Sequence, residues 1–186
     1  MIYFKDNSFS HDEITTCAFL LNEGLGQNSY STEELKPFAK QYSNKILITA
    51  HLKDQLVGII ISERFTPANC KRITKELHKI DIDPGIEKTA ILKAAAVKLK
   101  LRGRGIGVAL IKKALQKVKS EKYKYAIGTV WDIPENPVKK IFNSIGFKEL
   151  SLINTYWTGE SIQKKYQCPI CGNPCFCNAI LNYIKI

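Results

Sequence analysis

The chain has 186 residues, is 45% hydrophobic and carries a formal net charge of +11, which fits one domain with a small appendage and a core burying about 70% of the unfolded surface. No apolar run is long enough to span a bilayer, and the opening MIYFKDNSFSHDE lacks a basic region leading into an apolar stretch, so the sequence predicts a cytosolic (cytoplasmic) protein with no membrane partner. The positive charge is lysine spread along the chain, with Arg64, Arg72, Arg102 and Arg104 the only arginines; this disfavours an arginine-forked nucleic-acid surface and leaves a basic field suited to a small polyanion.

In chain order, Ser10 and Glu13 form a capping box that opens a helix with Ile14, Cys17, Ala18 and Leu21 on one face, stopped by Gly24 and Gly26. Ser31 and Glu34 repeat the box before a stripe of Leu35, Phe38, Ala39 and Tyr42. Residues 45–51 and 56–63 read as a hairpin around Lys53-Asp54-Gln55. A helix is predicted over 69–80, then a turn at Asp83-Pro84-Gly85, then a long central strand over 89–101. A helix over 105–120 buries Val108, Ile111, Leu115 and Val118 and presents lysines outward. Residues 125–131 form the next strand. Asn136-Pro137 caps and starts a helix carrying Val138, Ile141, Phe142 and Ile145, ended by Gly146. Residues 147–152 and 154–160 read as two closing strands.

Between the central strand and the 105–120 helix lies Arg102-Gly103-Arg104-Gly105-Ile106-Gly107. A strand, a glycine-rich turn and a helix N-terminus bring unpaired N–H groups and a positive dipole end together, which suits phosphate. The turn lacks the Gly-Lys-Ser/Thr of a P-loop. It also lacks the chain position and glycine spacing of a dinucleotide fingerprint. A tight structural turn is the plain alternative.

The segment resembles the Arg/Gln-x-x-Gly-x-Gly/Ala signature of the GNAT superfamily of acyl-CoA N-acyltransferases. The order of elements is similar to that family, and Glu135 to Phe147 (ENPVKKIFNSIGF) resembles its following motif. The resemblance covers residues 1–160. It implies an α/β (α+β) GNAT fold, with a mixed, mostly antiparallel central sheet and helices on both faces. It also implies acetyl-CoA as cosubstrate and a primary amine on an unidentified acceptor, and it leaves a homodimer open. The N–H groups of Arg102, Gly103, Arg104, Gly105, Ile106, Gly107 and Val108 would hold the pyrophosphate. The strand edge at Val97 to Leu99 would pair with pantetheine, a donor near Val97 would meet the thioester carbonyl, and Asn136 would lie beside the cofactor.

Two departures from the family pattern stand out. Alignment on Gly146-Phe147 puts Phe142 where many members carry a proton-donating tyrosine, and the central strand has no carboxylate. Glu63 and Asp132 are the substitute catalytic candidates, with His51 a third. A CoA-binding or zinc-bearing interaction protein with little turnover is the alternative function, its partner a protein or nucleic acid.

Cys168, Cys171, Cys175 and Cys177 crowd into ten residues. In a cytosolic protein this points to metal, and four thiolates suit a closed tetrahedral zinc site. Disulfides and an iron–sulfur cluster are the alternatives. The expected organisation is an acetyltransferase domain over 1–160 and a small C-terminal zinc knot over 161–186, whose apolar end packs on the domain or on a partner.

Overall fold

The computed structural model describes residues 1–40, 44–68 and 70–186. Tyr42 and Asn69 therefore lie outside the described residues. Among the described residues the sheet has seven strands in the order β1-β2-β3-β4-β5-β7-β6. The strands are β1 (Ile2–Lys5), β2 (Lys45–Leu52), β3 (Gln55–Arg64), β4 (Thr89–Val97), β5 (Tyr125–Trp131), β6 (Lys148–Ile153) and β7 (Ala179–Lys185). Among the described residues only β4 and β5 run parallel; every other neighbouring pair is antiparallel.

Alternation along β3 sends its isoleucines to opposite faces. Ile60 packs toward α4 (Ile106–Ser120) and α5 (Pro137–Ile145), among Leu110, Ala114 and Phe142. Ile59 and Ile61 pack toward α1 (His11–Leu25) and α2 (Thr32–Ala39), among Leu21, Leu35 and Phe38. Both predicted capping boxes form, Ser10 with Glu13 and Ser31 with Glu34. A further helix, α3 (Lys71–His78), packs Ile73 and Leu77 beneath β6 and β7. Among the described residues no helix is long and apolar enough to cross a membrane.

The structure corrects several expectations. β4 ends at Val97, because the Lys98 N–H bonds the Val57 carbonyl and β3 then reaches its hairpin turn. Leu99–Leu101 fold into a 3-10 turn. The buried face of α4 is Ile106, Leu110, Ile111, Ala114 and Val118; Val108 and Leu115 lie at its margins. Residues 154–160 form no strand. Arg72 donates to the carbonyls of Asn154 and Tyr156, the Asn178 side chain accepts from the Thr155 N–H, and the chain turns into α6 (Thr158–Lys164). The closing strand is β7, which lies between β5 and β6. A boundary at 160/161 thus cuts α6, and the four cysteines sit in the β6–β7 connection rather than on an appendage.

Candidate active site

β4 and β5 pair only from Thr89–Tyr125 to Leu92–Gly128. The register of β3 against β4 shifts between Ile61 and Ser62, leaving Lys93 as the extra residue of a bulge. A bulge bends its strand and strengthens the local twist. Beyond it β4 and β5 part, and a cleft open to solvent lies between Lys93–Ala95 and Thr129–Trp131. Lys98 donates toward β3, so strand alternation turns the backbone groups of Ala95 and Val97 toward this open edge. The Val97 carbonyl accepts from Arg102 Nε at 3.1 Å, which folds that side chain back over the strand end.

The glycine turn sits at the end of the same strand. Gly103 (φ 75°) and Gly105 (φ 78°) are both left-handed, and a Cβ on either would meet nothing within 4 Å. Their glycine requirement is therefore conformational, and it leaves the outside of the turn open. Gly105 caps α4, whose first intrahelical bond runs from the Ala109 N–H to the Gly105 carbonyl. The N–H groups of Ile106, Gly107 and Val108 precede that ladder, no acidic side chain lies in the first turn, and an anion is the natural partner. Leu99 is 59% exposed in the 3-10 turn, so the open edge is residues 93–97 and excludes it. Asn136 lines the cleft, with both ends of its amide engaged: Oδ1 accepts from the Val138 N–H at 2.9 Å and Nδ2 donates to the Trp131 carbonyl at 2.6 Å.

The four cysteine sulfurs lie within 4.8 Å of one another, with Cys171–Cys177 at 3.4 Å and Cys168–Cys177 at 3.8 Å. None is in a disulfide. Zn–S bonds of about 2.3 Å in a tetrahedron place sulfurs about 3.8 Å apart, so the set fits zinc. The Ile170 and Phe176 N–H groups point at Cys168 and Cys171 sulfurs, as thiolate ligands require.

The sequence matches the acetyltransferase (GNAT) family over residues 13–147. The chain belongs to the GNAT family. No curated protein matches it. Solved structures share the fold at low identity. The ribosomal-protein-S18-alanine N-acetyltransferase of Escherichia coli superposes with a TM-score of 0.68 at 11% identity, covering 100% of this chain and 94% of the other. A GNAT acetyltransferase of Elizabethkingia anophelis with acetyl-CoA bound gives 0.64 at 17%, covering 100% and 98%. A Bacillus subtilis acetyltransferase in complex with CoA gives 0.65 at 15%, covering 100% and 99%.

Within this GNAT cleft the expected catalytic residues are not gathered. Glu63 pairs with Lys93 at 2.9 Å and Lys45 at 3.7 Å, and Asp132 is exposed just past Trp131; neither lines the cleft. His51 is buried on the far β1–β2 edge, 2.8 Å from Thr49 Oγ1 and stacked on Tyr3. Burial holds its pKa below the usual histidine value. Phe142 lines the cleft as part of the core, stacked on Phe147.

Besides Ser29, Lys93, Thr129 and Asn136, the polar side chains lining the cleft include Tyr30, Glu160 and Tyr166. Burial, with Glu160 and Glu34 nearby, pushes the Tyr30 phenol far above its ordinary range, so it stays protonated at neutral pH. Sequence reasoning missed all three. Glu160 lay in a segment read as strand, Tyr166 in a segment read as appendage, and Tyr30 precedes a cap and carries no pattern of its own.

Proposed function

We propose that this GNAT protein transfers an acetyl group from acetyl-CoA to a primary amine, with zinc held by Cys168, Cys171, Cys175 and Cys177 as a structural ion. The observation that carries this reading is the parted β4–β5 pair ending on the left-handed glycine turn. One face of that arrangement offers backbone amides to a pantetheine arm, and its end offers helix N–H groups to a pyrophosphate. Proteins of the same fold hold CoA or acetyl-CoA.

The amine nitrogen forms a bond to the acetyl carbonyl carbon, the carbon–sulfur bond breaks, the amine loses one proton and the departing CoA thiolate gains one. A backbone N–H on the 95–97 edge supports the carbonyl oxygen as it takes on charge, an effect worth about 3 kcal/mol in other enzymes. Glu160 takes the amine proton in place of Glu63 and Asp132, because it alone of the three lines the cleft. Tyr30, neutral and buried, is the donor available to the thiolate.

Calorimetric titration with acetyl-CoA tests the reading. Saturable binding is expected, with Gly105→Asp abolishing it by placing a carboxylate against the pyrophosphate; absence of binding by the wild-type chain would end the proposal. Glu160→Gln is expected to lower kcat by about 100-fold or more, the size of a general-base contribution, with acetyl-CoA affinity retained.

A further inference from the structure

The β6–β7 connection does more than hold cysteines. Its first part, Trp157 through Tyr166, supplies one wall of the cleft, and its second part, Cys168 through Cys177, carries the four thiols. The two parts are bound tightly. The Cys175 N–H donates to Ser161 Oγ at 2.8 Å, Thr158 Oγ1 donates to the Cys175 carbonyl at 2.6 Å, and Asn173 Nδ2 donates to the carbonyls of Ser161 and Tyr166 at 2.7 and 2.9 Å. Tyr166 packs directly with Cys168 and Cys175, and Trp131 and Trp157 close the same cluster. Among the described residues the Trp131 indole N–H is buried without a hydrogen-bond partner, so this half of the cleft keeps an unused donor.

The connection is also fastened to the α1–α2 loop, which supplies Ser29 and Tyr30 to the cleft lining. The Gln167 N–H donates to the Gln27 carbonyl at 2.9 Å, and Lys164 Nζ reaches the Ser29 carbonyl at 3.1 Å and Glu34 at 2.7 Å. Gly26 (φ 117°) is a close-approach glycine, since a Cβ there would lie 2.0 Å from the Gln167 carbonyl oxygen. The pyrophosphate turn takes no part in these bonds.

We infer that the four-cysteine zinc site is a positioning device for the acceptor half of the cleft. Zinc fixes the loop that holds α6 and Tyr166, and through Gln167 it fixes the α1–α2 loop, while the pyrophosphate turn stands outside these bonds. The inference rests on the acetyltransferase reading for its consequence in turnover and on the hydrogen bonds above for its mechanics.

The test uses the full chain, purified under reducing conditions. Elemental analysis is expected to find equimolar zinc. After zinc is stripped with a chelator, hydrogen exchange is expected to accelerate over residues 157–178 and 26–31 and to stay slow over 89–97 and 106–120. Acetyl-CoA affinity by calorimetry is expected to be unchanged within error. With a primary amine that the loaded enzyme acetylates, kcat/KM for the amine is expected to fall by about 100-fold, through kcat as well as KM, because the released loops carry Glu160 and Tyr30. Cys171→Ser, at the exposed ligand, repeats the experiment without a chelator. Gly26→Ala gives an independent arm: it should open the Gln27–Gln167 bridge and raise the amine KM with zinc still bound. Absence of zinc binding, faster exchange confined to 168–177, or loss of protection throughout the sheet would each overturn the inference. Failure of the zinc-loaded protein to bind acetyl-CoA would instead remove the acetyltransferase reading, and the exchange pattern would still decide the mechanical claim.

Discussion

Phe142 shows how one residue can be decided by a neighbour that the sequence does not point to. The sequence resemblance implies that it stands where many GNAT members carry a tyrosine, and a single hydroxyl would then be enough to restore an acid. The ring tip lies against β5, however: a Cβ added to Gly128 would sit 2.7 Å from Phe142 Cε2 and Cζ. Phe142→Tyr is therefore expected to cost about 1–3 kcal/mol in urea denaturation through overpacking, with no gain in kcat. Gly128→Ala should destabilise by a similar amount from the other side of the contact. At Gly105 the argument is different, because space is open and only the left-handed backbone resists a side chain. Gly105→Ala should cost about 1–2 kcal/mol of stability, measurable by the same denaturation. The apolar stripe in α5 was legible in sequence and placed Phe142 in the core; the Gly128 contact was not, because it joins two elements through a tertiary approach.

The elements read well from sequence where local chemistry defines them. Both capping boxes, the β2–β3 hairpin, the Asn136-Pro137 helix start and the glycine turn are short-range patterns, and each has the expected form. The failures lie where the chain is governed by partners distant in sequence. β1 forms because β2 offers an edge, the β4 bulge exists only against β3, and α6 replaces a predicted strand because Arg72 and Asn178 turn the chain out of the sheet. Charges tie these elements together in a pH-dependent way. Partial burial acts to raise the pKa of Glu34, but Lys164 of α6 and the Ser31 N–H outweigh it and hold the carboxyl below its ordinary 4.5. Glu13 is held low in the same fashion by Lys5 and Ser10 against its own burial. A carboxyl depressed in the folded state binds fewer protons than in the unfolded chain, so its contribution is complete above pH 4.5 and is lost as pH falls through the folded value. Glu34→Gln should flatten the acid limb of the stability–pH curve, and denaturation midpoints at stepped pH would show it.

At the scale of the whole molecule, the last 26 residues, whose cysteines suggest an appendage, supply β7 to the interior of the sheet. Cysteine spacing made the metal site legible, and the apolar NAILNYIKI was read correctly as needing cover. Which surface covers it depends on strand order, and strand order is not written in any local pattern. In the structure β7 pairs with β5 over seven consecutive residues, from Trp131–Ala179 to Tyr125–Lys185, and with β6 on its other side. Ala179 and Leu181 are fully buried, and Asn182 is 1% exposed with its amide bonded to the Ile180 carbonyl. Among the described residues β6 has no other strand beside it. A chain ending at residue 160 would leave β6 unpaired, open the β5 edge next to the cleft and strip Ile127 and Ile153 of the Leu181 that packs with them. Unpaired edges and exposed core of this size remove cooperativity rather than a margin of stability. The 1–160 fragment is expected to be insoluble or to lack a cooperative thermal transition by circular dichroism. The same fragment supplied with residues 161–186 as a separate peptide should recover the transition, since the missing strand would have both its partners waiting. A soluble, cooperatively melting 1–160 fragment that binds acetyl-CoA would contradict a sheet built through β7.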